Sequence, residues 1–191
     1  MARSYQLKRR AENQAETRQR IIEATVDLHT SIGPAHTTVS AIAERAGVQR
    51  HTVYAHFPDE RDLFAACSGH HMARDPLPDA QAWRALNDPE ALLRHGLTEV
   101  YEWFTRNAEL ANSVLRDAQV HQITRETVER TMGPGMGAFV AVPAEALGAS
   151  PQQRAALVLA FSFFTWGSLV RDAGLSNAQA AAMMTRLVLH A

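Results

Sequence analysis

Residues 37–58 constrain the fold most tightly. Two apolar stripes of helical spacing, each barely two turns long, are separated there by a single glycine. In the first, Thr38 stands where a helix cap is needed, and Val39, Ile42, Ala43 and Ala46 recur at i, i+3, i+4 and i+7. In the second, Val53, Tyr54 and Phe57 share one face and Pro58 closes the segment. Ala43 and Ala46 are small enough to let two helices cross closely, and Gly47 accepts the positive φ that a tight turn needs. Upstream, Ile21, Thr25, Leu28 and Ile32 form one face of a helix over about 15–32, which Gly33-Pro34 stops. Downstream, Asp59 caps a helix with Glu60 and Asp62 in its first turn, where acids suit the dipole. Short helices around a glycine turn make a helix-turn-helix pattern.

The remainder also reads as helix, and strand-like alternation is absent. Arg74, Asp75, Pro76, Pro78 and Asp79 read as a linker, which puts a boundary near residue 75. Beyond it, one helix starts at Asp88-Pro89 with the stripe Leu93, Leu97, Val100 and Phe104. A second is expected over about 107–121. A third is expected over 124–132, with Gly133-Pro134-Gly135-Met136-Gly137 as a loop. Ser150-Pro151-Gln152-Gln153 and Ser176-Asn177-Ala178-Gln179 are capping boxes that open two final long helices.

Composition excludes several functions. The chain has 191 residues and a net charge of −1, so it is not a globally basic nucleic-acid binder. The charge is uneven: residues 1–20 carry a net +4, through Arg3, Lys8, Arg9, Arg10, Arg18 and Arg20 against two acids, and residues 75–191 a net −3. A basic front end on an acidic body fits a chain that meets a polyanion, and equally a solvated tail. The charged start is no secretory signal. The uncharged run 155–170 is short for a membrane span of roughly 20 residues and reads as one helix buried in protein. The single Cys67 excludes an internal disulfide and fits a reducing, cytoplasmic setting. The only lysine, Lys8, follows no Walker loop, and neither a G-x-S-x-G elbow nor an H-E-x-x-H motif occurs. No enzyme activity, metal site or cofactor is expected.

A helix held by a tight turn fits a major groove about 12 Å wide. The second short segment offers Gln49, Arg50, His51, Thr52, Tyr54 and His56 opposite Val53 and Phe57. Gln pairs with adenine and Arg with guanine, the Thr methyl meets the thymine methyl, and hydroxyls suit phosphates. An ordinary solvated helix face is the alternative.

Thr38-Val39-Ser40, Ile42-Ala43, Ala46-Gly47-Val48, Thr52-Val53-Tyr54, His56-Phe57-Pro58 and Leu63, with Thr17-Arg18, Ile21-Ile22 and Ala24 upstream, resemble the DNA-binding signature of TetR-family transcriptional regulators. The resemblance covers about 17–64; the rest matches only in its helical layout. It implies an all-α protein. A basic arm (1–16) would precede a three-helix helix-turn-helix DNA-binding domain with its connecting helix (17–74). A helical ligand-binding and dimerisation domain (75–191) would follow. It implies a homodimer on a palindromic double-stranded operator, usually a repressor released by a small-molecule effector. Carried over by position, Thr38 and Gln49 cap the two helices, Arg50, His51 and Thr52 face bases, and Tyr54 and His56 face phosphate and groove. Two positions depart from the pattern. Gln49 replaces a favoured Ser or Thr cap. Glu60 stands where a lysine usually meets phosphate, leaving Arg61 to supply that charge. A helical ligand-binding or interaction module with a vestigial helix-turn-helix is the alternative these departures leave open. Two recognition helices would enter grooves about 34–36 Å apart. The effector would favour a conformation that spoils that spacing, with the helix over 59–72 as the route. The arm would enter a minor groove, as arms of other helix-turn-helix proteins do.

The body is rich in aromatic side chains and Met, the material of adaptable ligand cavities and of plain core alike. The candidates for an effector pocket are Trp103, Met132, Met136, Phe139 and Trp166, with Arg116 or His121 as a polar handle. In the final helix pair, Leu157, Phe161, Phe164, Ser168, Leu187 and Val188 are candidates for a four-helix dimer face, with small Ala160 and Gly167 permitting close approach. No membrane partner is expected.

Overall fold

Ten helices in chain order build the described part of the molecule: α1 (Ala2–Ser31), α2 (Val39–Ala46), α3 (Arg50–His56), α4 (Glu60–Arg74), α5 (Pro89–Asp117), α6 (Gln122–Thr131), α7 (Gly133–Leu147), α8 (Pro151–Ala160), α9 (Phe163–Trp166, continuing as a π-helical turn over Gly167–Asp172) and α10 (Asn177–Leu189). The structure is a computed structural model that describes the backbone of residues 2–191 and the side chains of residues 5–191. The side chain of Arg3, counted above in the basic segment, lies outside the described residues. No strand occurs among the described residues.

The chain forms two compact units. One comprises the residues up to Asp75 together with Asn112–Thr131; the other comprises Pro76–Ala111 and Met132–Ala191. Residues 112–131, which chain order alone assigns to the body, therefore pack with the first unit. The physical reason is α6, which lies on α4 and is tied to it by a hydrogen bond from Ser68 Oγ to Thr131 Oγ1 of 2.8 Å. The helix expected over 107–121 does not exist separately, because α5 runs without a break to Asp117. No glycine or proline interrupts it between Leu97 and Asp117.

The core of the first unit joins Ile21, Ile22, Ala24 and Leu28 of α1, Ile42, Ala43 and Ala46 of α2, Val53 and Phe57 of the α3 segment, and Leu63 and Cys67 of α4. Local signals set its joints. Thr38 Oγ1 accepts from the Ala41 N–H at 3.2 Å. Gly47 adopts φ 65° and ψ 40°, a left-handed pair that ends α2. Asp59 caps α4 by accepting from the Arg61 N–H at 2.9 Å. Burial pushes the Cys67 thiol up to about 12, so it stays protonated and unreactive at neutral pH.

In the second unit Trp83 stacks on Phe139 and Phe161, with ring centroids 5.6 and 6.0 Å apart. Phe104, Phe163 and Trp166 form a second aromatic cluster. The single buried helix expected over 155–170 is broken. α8 ends at Ala160, α9 begins at Phe163, and the two are bent by 63°. The break leaves the Ala160 carbonyl without its helical partner, and the buried Tyr101 hydroxyl of α5 donates to it at 2.8 Å. Residues 133–137 are likewise not a loop but the start of α7. Pro134 fits a first turn because its missing N–H would have no partner there. Both capping boxes form, on Ser150 with Gln153 and on Ser176 with Gln179. No single helix among the described residues is long and apolar enough to cross a membrane; α8 with α9 reaches the length only as that bent pair.

Candidate nucleic-acid interface

The α2–turn–α3 element presents its polar face outward because its apolar residues are consumed by the core. Val53 and Phe57 are buried, while Gln49, Arg50, His51 and Tyr54 are exposed and Thr52 and His56 half-buried. Gly47 and a 2.9 Å hydrogen bond from the Val48 N–H to the Ala43 carbonyl fix the turn. Gln49 occupies the position before the first turn of α3 but makes no side-chain cap. The first amides of α3 thus lack the side-chain partner a Ser or Thr would give. Arg50 lies across the Tyr54 ring, 5.9 Å from its centroid, and donates from Nη2 to Tyr54 Oη at 3.3 Å. That contact splints an otherwise flexible guanidinium on the outward face, one turn from the phenol.

Arg61 is not aimed freely outward. Its Nε meets Glu126 Oε2 of α6 at 3.2 Å, with both side chains half-exposed. Hydrogen bonds from Gln122 and from Arg61 hold the Glu126 carboxyl below its ordinary range. An exposed pair of this kind is worth little and exchanges readily for a stronger anion. Glu60 is exposed beside it. Arg18 stacks over the Phe57 ring at 4.7 Å, which holds a cation near the end of α3.

Helical periodicity placed the start of α1 near residue 15, whereas α1 begins at Ala2. Arg9, Arg10 and their neighbours are therefore carried on a rigid element beside α3. The signal for this was present in the spacing of Gln6, Arg9, Arg10, Asn13 and Thr17, but polar residues at helical spacing look like any solvated segment.

The residues considered for an effector pocket divide between the units. Trp103, Phe139 and Trp166 are buried in the aromatic core of the second unit, and Met132 and Met136 stand half-buried at the start of α7. Arg116 and His121 belong to the first unit. Arg116 Nε donates to Asp117 Oδ1 at 2.8 Å, and His121 Nδ1 and Thr124 Oγ1 share a 2.7 Å hydrogen bond. The structure does not bring all seven together in one unit.

The residues considered for a dimer face divide by burial. Leu157, Phe161 and Val188 are buried within the protomer and present no outward surface. Phe164 and Leu187 are 51% and 43% exposed, and Ser168 is exposed as well. Val158, Leu159 and Met183 are exposed large apolar residues that periodicity alone does not mark as surface. Which of Leu157 and Leu159 faces out depends on the packing of α8, not on its own periodicity. Among the described residues no group of three or more His, Cys, Asp or Glu is placed to hold a metal ion.

Residues 21–67 match the family described as bacterial regulatory proteins, tetR family. The HTH-type transcriptional regulator TtgR of Pseudomonas putida is 32% identical over 118 residues, 61% of this chain and 51% of that protein. The chain thus spans about half the length of the curated relative it matches. The multidrug binding protein EbrR, in a crystal structure with imidazole, is similar with a TM-score of 0.61 and 25% identity, over 89% of this chain and 93% of that one. A TetR-like transcriptional regulator from Rhodococcus sp. RHA1 shares the fold with a TM-score of 0.63 at 19% identity, over 91% and 94% of the two chains.

Proposed function

We propose that this chain, whose residues 21–67 match the tetR family of bacterial regulatory proteins, is a member of that family and a cytoplasmic, DNA-binding transcriptional regulator answering to a small molecule. It acts as a homodimeric repressor on a palindromic operator, with no catalytic step and no cofactor. Residues 17–74 provide DNA binding, and the part of 75–191 that forms the second unit, Pro76–Ala111 with Met132–Ala191, provides effector binding and dimerisation.

The observation that carries this reading is the outward face of α3. Gln49, Arg50, His51 and Tyr54 are exposed on a helix that buried Val53 and Phe57 hold rigidly behind a left-handed turn. A preorganised row of side chains with distinct hydrogen-bonding patterns reads base edges, and Thr52 and His56 reach toward the groove wall. Arg61 turns from Glu126 to phosphate when DNA arrives, since the phosphate backbone is the denser anion. Dimerisation uses the exposed apolar residues Val158, Leu159, Phe164, Met183 and Leu187 with Ser168 between them, a set that two copies cover together. EbrR is a multidrug binding protein, and by that likeness the effector is an apolar small molecule held in the second unit, where Trp103, Met132, Met136, Phe139 and Trp166 stand. Effector and operator then oppose each other through one equilibrium, and each weakens the other by the same factor.

Selection of bound fragments from a random duplex pool tests this directly. Recovery of a palindrome, with affinity falling steeply as salt rises, is the expected result. Arg50→Ala should then weaken operator binding by about 1–3 kcal/mol and relax preference at one base pair per half-site. Weak, sequence-independent binding that Arg50→Ala leaves unchanged would instead support a vestigial helix-turn-helix, the reading that uncapped α3 and Glu60 favour.

A further inference from the structure

A cleft of about 440 Å³ opens between the start of α1 and α3. Gln6, Arg9, Arg10, Asn13, Gln14 and Thr17 form one wall, and Thr52 and His56 the other. The first wall is a single face of α1, because its members recur at the three- and four-residue steps of a helix. Continued along the helix, the same face becomes the buried stripe of Ile21, Ala24, Thr25 and Leu28. The register is that of a packing face, but before Ile21 its chemistry turns polar and cationic.

The charges in this stretch are sorted. Both acids, Glu12 and Glu16, lie off the cleft face, and Glu12 pairs with Lys8 there at 3.9 Å. The described residues that line the cleft include two guanidiniums and no carboxylate. Helix solubility alone would not separate the signs in this way. The opposite wall belongs to α3, the element assigned above to the major groove. A polyanionic rod is the occupant that matches both walls.

We propose that this cleft holds one sugar–phosphate strand of the DNA, the strand bordering the groove that α3 enters. This rests on the function proposed above and deepens it. Arg9 and Arg10 neutralise phosphates, and Gln6, Asn13, Gln14 and Thr17 donate hydrogen bonds along the strand. From Gln6 to Thr17 the face runs about 16 Å at a rise of 1.5 Å per residue, which spans about five nucleotides of one strand measured along the duplex axis. The helical form also decides against the minor groove: a helix about 10 Å across does not enter a groove about 6 Å wide.

The test is an Arg9→Ala/Arg10→Ala variant of the full chain, assayed on a random-sequence duplex and on the selected operator across a salt series. The slope of log affinity against log salt should shrink by about 1.8 per protomer. Between 50 and 200 mM salt, that makes the affinity loss about twelvefold smaller than in the wild type. Both duplexes should be affected alike, with the thermal midpoint unchanged. An Arg9→Lys/Arg10→Lys variant should restore most of the slope, and His56→Ala should weaken binding less in the alanine background than in the wild type, since both walls grip one strand. An unchanged slope with wild-type DNA binding intact overturns this proposal alone. A change confined to base preference at A·T-rich flanks overturns it in favour of minor-groove contact. Absence of DNA binding by the wild type overturns the proposed function with it.

Discussion

Acidification should destabilise the first unit through one side chain, His29. It is 5% exposed, and its ring lies 4.7 Å from that of Phe64. Its Nε2 is buried without a hydrogen-bond partner. Burial lowers its pKa to about 4, an effect that nearby His121 reinforces and Asp117 opposes. The unfolded chain binds a proton near pH 6.5 and the folded chain does not, so stability is full above 6.5 and declines as pH falls toward 4. From pH 7 to pH 5 the loss works out at about 2 kcal/mol, approaching about 3 kcal/mol at the lower end of the window. Asp117 adds nothing in the upper part of that window. Burial raises its pKa, but hydrogen bonds from Arg116 and the Ala35 N–H outweigh the burial and keep it below its ordinary value. Urea unfolding at half-unit steps from pH 7 to pH 5, for the wild type and for His29→Leu, isolates the effect. The difference between the two proteins should narrow or reverse by about 2 kcal/mol, because leucine does not titrate. Parallel pH profiles would refute the reasoning, for then His29 is reached by water or by an unrecognised partner in the folded state.

Gly33→Ala should cost about 1–3 kcal/mol from backbone strain alone, since Gly33 sits at φ 91°, and more because the new methyl would lie on the Asp117 carboxylate. Equilibrium unfolding measures this, and a wild-type midpoint would contradict it. Tyr101→Phe leaves the buried Ala160 carbonyl without its donor and should cost about 1–3 kcal/mol, with hydrogen exchange accelerated near Phe161. Unchanged exchange there would show that the break between α8 and α9 does not rest on that bond. Phe164→Glu with Leu187→Glu places charge on the exposed apolar residues of the second unit and should convert a dimer to monomers in analytical ultracentrifugation at unchanged helicity. A persistent dimer would place its interface elsewhere.

Much of the helix-turn-helix was legible because its signals are local. The Thr38 cap, the left-handed Gly47 and the Asp59 cap each concern groups within four residues of one another, and the alternation of Val53 and Phe57 with Arg50 and Tyr54 sorts inside from outside. The capping boxes at Ser150 and Ser176 were legible for the same reason. Other features were hidden because their partners are distant in sequence. The break at Phe161 becomes stable through Tyr101, 59 residues away from Ala160. Arg61 looked free for phosphate until α6 brought Glu126 beside it, 65 residues on. Leu157 and Val158 are adjacent and apolar, yet one is core and the other surface.

Sequence by itself determined the helical class, the glycine turn, the side chains offered by α3 and the sorting of charge toward the N-terminus, since composition, caps and periodicity act over one or two turns. Tertiary structure decided the rest. Docking of α6 on α4 drew residues 112–131 into the first unit. Packing within the second unit chose which apolar residues of α8 to α10 remain exposed. The placing of the start of α1 beside α3 turned a row of polar residues into one wall of a cleft. In each case the deciding energy is the burial of one surface against another. Such burial depends on which surfaces meet, and no stretch of chain contains that information alone.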